Sequence, residues 1–204
     1  MTEVEIPLGT ARVHRHDPPG EPRGTLLLGH GAGAGSGSAD LLAVAAAGCA
    51  AGWRVLRVDQ PWVVAGKRIA PAPARLDEGW TAVVEAVRVD GGLCGPVVFG
   101  GRSAGARVAC RTSGALGAEG VLALAFPLHP PGKPEKSRAG ELTAVTVPVL
   151  VVQGATDAFG RPAEVEAVLP GRVCAVPGDH GLTKDPDAVA AAAVRWLAQF
   201  VGAA

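Results

Sequence analysis

Short apolar runs alternate along this chain with longer stretches in which apolar positions recur every three or four residues. Runs near 4–6, 11–15, 25–29, 54–59, 96–101, 120–126, 148–154 and 172–176 read as strands. Helical spacing marks 39–51, 76–89, 103–112, 161–169 and 186–201. Strands regularly separated by helices imply an α/β fold, with a mostly parallel sheet of about seven or eight strands and helices on both faces. The last helix is the clearest. Asp185 is a natural N-cap with Pro186 at the first helical position, and Val189, Ala193, Leu197 and Val201 form a stripe at four-residue spacing. Two stretches, 64–75 and 127–138, are too rich in proline and small residues for regular structure and read as loops. Nothing like an interdomain linker divides the 204 residues, so residues 1–204 are expected to form a single domain with a sizeable core.

One junction in this pattern carries chemistry. The apolar strand Val97-Val98-Phe99 runs through Gly100 into Gly101-Arg102-Ser103-Ala104-Gly105 and then into a helical segment. A serine on a sharp strand-to-helix turn exposes its hydroxyl above the sheet edge, and the flanking glycines let strand and helix backbones approach. The backbone N–H of Ala104 is then placed to face a developing oxyanion. Asp157 and His180 each follow a later strand, and loops at the carboxyl ends of parallel strands gather on one edge. His14, His16, His30 and His129 all precede Asp157, which leaves His180 as the base expected in the order Ser, Asp, His. Asp179 is a poor orienting acid, because adjacent side chains on an extended backbone diverge. The glycine-rich loop after the third strand, His30-Gly31-Ala32-Gly33, offers a second oxyanion donor, the N–H of Ala32, with His30 fixing the loop by side-chain hydrogen bonds.

The same glycines have a competing reading as a phosphate cradle. Gly29-x-Gly31-x-x-Ala34, a helix after it and Asp59 ending the next strand loosely imitate a dinucleotide fingerprint. Ala34 replaces the third glycine, Asp59 lies far downstream, and Gly35-Ser36-Gly37-Ser38 stands where a helix should begin. No Gly-x-x-x-x-Gly-Lys-[Ser/Thr] occurs either, so no cofactor or metal is expected.

Charge and composition narrow the partners. Formal net charge is zero, so no global field recruits nucleic acid or an anionic membrane. Locally, Lys67, Arg68, Arg102, Lys133, Lys136 and Arg138 are expected to form a basic rim favouring an anionic acyl substrate, with Arg68, Arg102, His129 and Lys133 as candidate substrate contacts. Tyrosine is absent and aromatics are few, which leaves Trp53, Trp62 and Trp80 to border at most a small pocket. Cys49, Cys94, Cys110 and Cys174 show no Cys-x-x-Cys spacing and read as free thiols of a reducing compartment. The N-terminus lacks a signal-peptide pattern, and no apolar run reaches membrane-spanning length, so a cytoplasmic location is the expectation. Fifteen arginines against four lysines, with heavy alanine and glycine, match the coding bias of a GC-rich bacterium.

The glycine loop, the Gly-x-Ser-x-Gly turn and the order Ser103, Asp157, His180 resemble the α/β-hydrolase superfamily over nearly the whole chain. Phe126-Pro127-Leu128-His129-Pro130-Pro131-Gly132-Lys133-Pro134, with Gly100-Gly101-Arg102-Ser103 and Val152-Gln153-Gly154-x-x-Asp157, is similar to a small group within it. That group includes bacterial dienelactone-hydrolase-like proteins, testis-expressed α/β-hydrolase-like proteins and the hydrolase-like domain of a non-specific-lethal complex subunit. Ser103 departs from the cysteine of dienelactone hydrolases proper, so their lactone substrate does not carry over. The resemblance implies a capless serine hydrolase acting on a small carboxylic ester or thioester through an acyl-enzyme. It equally includes members with a scaffolding role, so the alternative is a non-catalytic binding protein on the same fold.

Overall fold

Eight strands pair into one sheet: β1 (Thr2–Ile6), β2 (Gly9–His16), β3 (Thr25–Gly29), β4 (Arg54–Asp59), β5 (Val97–Arg102), β6 (Gly120–Leu124), β7 (Val149–Gly154) and β8 (Val173–Val176). Their order in space is β1-β2-β4-β3-β5-β6-β7-β8. The computed structural model describes residues 1–33 and 35–201. β1 and β2 run antiparallel to their neighbours, and every pairing from β4 through β8 is parallel. Parallel strands need crossovers, and the helices that supply them cover both faces. Helices α1 (Ala39–Ala50) and α7 (Pro186–Leu197) pack on one face with Leu26, Leu28, Val98, Leu122 and Val152. On the other face α3 (Pro73–Val89), α4 (Ala104–Thr112), α5 (Ala139–Thr143) and α6 (Pro162–Val168) cover Leu27, Leu56, Phe99, Val121 and Val151. Successive side chains of a strand point to opposite faces, so Leu26, Leu27 and Leu28 are all fully buried.

Each expected strand and helix is present, with shifted ends that have local causes. The helix expected from residue 76 starts at Pro73, because proline serves as an opening helical residue. The strand expected to reach 126 stops at Leu124, since Ala125 turns to φ +46° while its amide still bonds to the Val152 carbonyl at 2.8 Å. The last helix ends at Leu197 and tightens into a 3-10 turn over Ala198–Phe200 instead of running to 201. Asp185 caps it by accepting from the Ala188 amide at 2.9 Å. Within the two stretches read as loops lie a 3-10 turn (Pro134–Lys136) and the first three residues of α3, Pro73 to Arg75; short α2 (Pro61–Val64) and α5, at their edges, were not expected. The chain between β6 and β7 is this proline-rich loop with α5 alone, so no lid is inserted there.

That loop is pinned against the segment after β7. The His129 amide donates to the Phe159 carbonyl at 3.0 Å, and the Arg138 guanidinium donates to Pro127 O at 2.8 Å. The His129 ring is buried, with Nδ1 3.0 Å from Pro130 O and Nε2 3.0 Å from Glu164 Oε2. Both ring nitrogens face acceptors, so the imidazole is held best with both protons on. The Pro130 carbonyl and then the Glu164 carboxylate accordingly raise its pKa above the usual histidine value.

Two outcomes follow. A raised folded-state pKa stabilises fully below the unfolded value of about 6.5 and fades as pH climbs through the folded pKa. Glu164 is largely solvent-exposed, so His129→Gln should cost about 0.5 kcal/mol more at pH 5.5 than at pH 9 in urea denaturation. At the sheet centre, a Cβ on Gly105 would overlap the Gly29 carbonyl, whereas one on Gly114 meets nothing within 4 Å. Gly105→Ala should therefore destabilise by about 2 kcal/mol, with Gly114→Ala within about 0.5 kcal/mol of the parent in the same assay.

Candidate active site

At the carboxyl end of β5 the chain turns so sharply that Ser103 sits at φ +54°, ψ −107°, a region a residue with a Cβ occupies only under compulsion. The compulsion comes from both sides. Its amide donates to the Leu124 carbonyl at 2.9 Å, which keeps the turn in register with β6, and α4 begins at the next residue. The bare backbones of Gly101 and Gly105 fit against β3: a Cβ on Gly101 would lie 2.6 Å from the Gly29 carbonyl. Ala104 opens α4, where the first amides have no intrahelical carbonyl to bond.

Two later loops reach this serine. His180 Nε2 lies 2.8 Å from Ser103 Oγ, and His180 Nδ1 lies 2.8 Å from Asp157 Oδ2. With Nδ1–H donating to the carboxylate, Nε2 is left as the acceptor for the serine hydroxyl. Asp157 is fully buried in its side chain, while the imidazole keeps 21% of its surface exposed. Such a carboxylate has its remaining valences filled: Oδ1 accepts from the Phe159 amide at 2.8 Å and Oδ2 also accepts from Gln153 Nε2 at 2.9 Å. The two Gln153 Nε2 hydrogens serve Asp157 Oδ2 and Gly160 O, the latter at 2.7 Å, and Phe126 O stands 3.1 Å from the same nitrogen.

The acid and histidine loops are fastened to each other. Ala155 and Thr156 amides donate to the Val176 and Gly178 carbonyls at 2.8 and 2.9 Å. Leu182, left-handed at φ +51° and fully buried, anchors the histidine loop in the core beneath α1 and α7. Over the imidazole lies the Phe159 ring, with centroids 4.2 Å apart and planes at 30°. Phe159 and Gln153 are supporting residues that the triad order alone does not reveal. The spacing Gln153-Gly154-x-x-Asp157 held the signal for one of them, and Phe159 had none. Asp179 turns away and accepts from the Gly181 amide at 2.9 Å.

The glycine loop stands beside the serine. A Cβ on Gly31 would come 3.6 Å from Ser103 Cβ, and Ala32 follows Gly31 directly in the chain. His30 Nδ1 bonds to the Gly31 carbonyl at 2.8 Å, and Nε2 accepts from the Gln60 amide at 3.1 Å, which makes it a neutral loop brace. Asp59 is spent on the same loop: Oδ1 accepts from the Ser36 amide at 2.6 Å and Oδ2 meets His14 Nε2 at 2.8 Å. Burial opposes ionisation there, yet the Ser36 amide and His14 hold the Asp59 carboxyl below its usual range. Ala34, the third position of the dinucleotide-like pattern, lies outside the described residues.

The cations do not assemble as one rim. Lys67 and Arg68 follow β4, whereas Lys133 and Lys136 follow β6, three strands away across the sheet. The Arg102 guanidinium is turned inward: Nε stands 3.4 Å from the fully buried Asp40 carboxylate and Nη2 donates to the His180 carbonyl at 3.3 Å. The Arg102–Asp40 contact is a charge pairing without hydrogen-bond alignment. His129 is engaged with Glu164, as described above, while Arg68 and Lys133 stand exposed. Trp53 and Trp80 are core residues, and Trp62 borders a cleft. Burial pushes the Cys110 thiol up to about 12. Among the described residues no group of His, Cys, Asp and Glu is arranged to hold a metal ion, and no helix is long and apolar enough to cross a membrane.

The fold has parallels in solved structures. An alpha-beta serine hydrolase homologue from Coxiella burnetii superposes with TM-score 0.81 at 18% identity, covering 96% of each chain. A serine hydrolase without lid from Xanthomonas campestris gives TM-score 0.80 at 21% identity, over 100% of this chain and 95% of that one. A thermophilic esterase from Thermogutta terrifontis gives TM-score 0.72 at 15% identity, covering 98% of each. At such identities the likeness is one of fold. A search of the curated proteins returned no match. Residues 22–188, most of the chain and all of Ser103, Asp157 and His180, match the family described as alpha/beta hydrolase domain, and the chain belongs to that family.

Proposed function

We propose that this chain is a serine hydrolase of small carboxylic esters or thioesters, working through an acyl-enzyme. The observation that carries the reading is the unbroken hydrogen-bonded line from buried Asp157 through His180 to Ser103, with 2.8 Å at both links. His180 Nε2 takes the proton as Ser103 Oγ adds to the substrate carbonyl. The amides of Ala104 and Ala32 bind the oxyanion of the tetrahedral intermediate. Its collapse breaks the bond to the leaving group, which receives the proton from His180. Water then adds to the acyl-enzyme by the same route, and acid and free serine are regenerated. Asp157 stays ionised and holds the Nδ1–H tautomer throughout. A binding protein that made no use of this chemistry would have no need for the Ser103 turn, so the scaffold alternative is the weaker reading. Small substrates fit an edge that carries no lid between β6 and β7. A cytoplasmic setting goes with the free thiols Cys49, Cys94, Cys110 and Cys174.

Labelling with a fluorophosphonate probe tests the mechanism. Native protein should label at one serine, Ser103→Ala should not label, and His180→Ala should label far more slowly. Turnover of a short ester should fall at least about 10⁴-fold in both variants. An unlabelled native protein, or equal labelling of Ser103→Ala, would refute the reading. Phe159 is a positioning residue here: stacked on the imidazole, it should stabilise the ring orientation and the charged form. Phe159→Ala should lower kcat by about tenfold or less with little change in KM, and should move the acidic limb of the kcat/KM–pH profile to lower pH. An unchanged profile with a purely thermal loss would mean that Phe159 only packs.

A further inference from the structure

Beside the oxyanion loop lies a cleft of about 370 Å³ that the proposed chemistry does not use. It opens at the same sheet edge as Ser103, because β2 runs antiparallel to β4 and its first residues, Gly9 and Thr10, meet the residues that follow β4. Its walls are Leu8, Gln60, Trp62 and the strap from Ala65 to Arg75. The volume falls in the range of small-ligand sites, on the order of 300–1,000 Å³. Two cations, Lys67 and Arg75, line it, and no carboxylate is among the lining residues. Arg75 shares one nitrogen with Glu78 at 3.0 Å, and Thr10 donates to Glu5 at 2.7 Å, so both nearby carboxylates sit outside the lining.

The cleft lies next to the site, with the buried His30 and Trp62 side chains between the two. Trp62 packs on His30 with centroids 5.3 Å apart, His30 precedes Gly31, and Gly31 abuts Ser103. β4 and β5 are separated by β3 alone, so strand spacing puts the cleft's near wall about 10 Å from the serine.

We propose that this cleft is an acyl subsite for a carboxylate: the preferred substrate is an ester or thioester of a linear dicarboxylic acid, with its free carboxylate held by Lys67 and Arg75. The ester carbonyl lies at Ser103 and the oxyanion loop, and the acyl chain runs past His30 and Trp62. This rests on the reading of Ser103 as nucleophile. Arg68, although adjacent to Lys67, does not line the cleft and serves as a control for general surface charge. Lys67, Arg68, Arg75 and Glu78 are all exposed, so their variants keep the fold.

The first measurement compares hydrolysis of aryl monoesters of dicarboxylic acids of increasing chain length with their methyl-capped neutral counterparts. The expected result is a kcat/KM optimum at a chain spanning about 10 Å, present for the free carboxylates only. Lys67→Gln and Arg75→Gln should each cost about tenfold on the carboxylate series, carried by KM, and leave neutral esters unchanged. Arg68→Gln should change neither series, Glu78→Gln should improve the carboxylate series, and the effects should shrink in high salt. Equal losses on neutral and carboxylate esters, or no chain-length optimum, would overturn the subsite while leaving the nucleophile reading intact. The second measurement needs no turnover: calorimetric binding of the free dicarboxylic acid to Ser103→Ala, with and without Lys67→Gln. Binding weakened by Lys67→Gln supports the subsite even if the native protein fails to label, and absence of binding to Ser103→Ala overturns it.

Discussion

The site depends on one close approach of bare backbone. Gly29 at the end of β3, Gly101 at the end of β5 and Gly105 in the first turn of α4 lie so close that a Cβ on Gly101 or Gly105 would strike the Gly29 carbonyl. Because nothing larger than hydrogen separates them, α4 can start directly over the β3–β5 seam. The chain between Gly101 and Gly105 is then too short to turn gently, and Ser103 is driven to positive φ. The same contact sets the glycine loop after β3 beside the serine. The Ser103 turn and the glycine loop beside it are thus two results of one packing constraint.

Hydrogen-bond partners then sort the histidines by proton content. His30 faces one acceptor and one donor, so it carries one proton and braces its loop. His180 has a carboxylate on Nδ1 and a hydroxyl on Nε2, and the hydroxyl is the one partner able to give or take a proton. His129 faces two acceptors and is pulled toward the doubly protonated form. Only the middle arrangement sets a ring nitrogen against a hydroxyl, and there the ring is partly open to solvent and supported from behind by a buried carboxylate. The carboxylate in turn relies on Gln153 and the Phe159 amide, which leave it few other orientations.

What could be read in advance was whatever depended on periodicity or on order along the chain. The strands reveal themselves as apolar runs because both faces of the sheet are covered, as at Leu26, Leu27 and Leu28. Ser103, Asp157 and His180 are legible because parallel topology carries the ends of β5, β7 and β8 to one edge. Contacts between loops left no such trace. Phe159 lies on His180 through two loops whose separation in sequence says nothing about their meeting. The basic rim failed for the same reason: counting cations within loops ignores which strand each loop leaves. Short α2 and α5 carry too few residues for a period to show.

Arg102 illustrates how the sheet decides between recruitment and support. In β5, alternate residues face opposite sides, and Arg102 continues the set of Val98, which faces α1 and α7. Its guanidinium therefore meets Asp40 in the first turn of α1, not solvent. Asp40 is fully buried, and a buried carboxylate without a nearby cation would carry a desolvation cost of several kcal/mol. The pairing fixes Arg102 in place, and from there it reaches the His180 carbonyl and the flank of Gly31. A cation beside Ser103 in sequence is thereby committed to holding together the segments that meet at the serine.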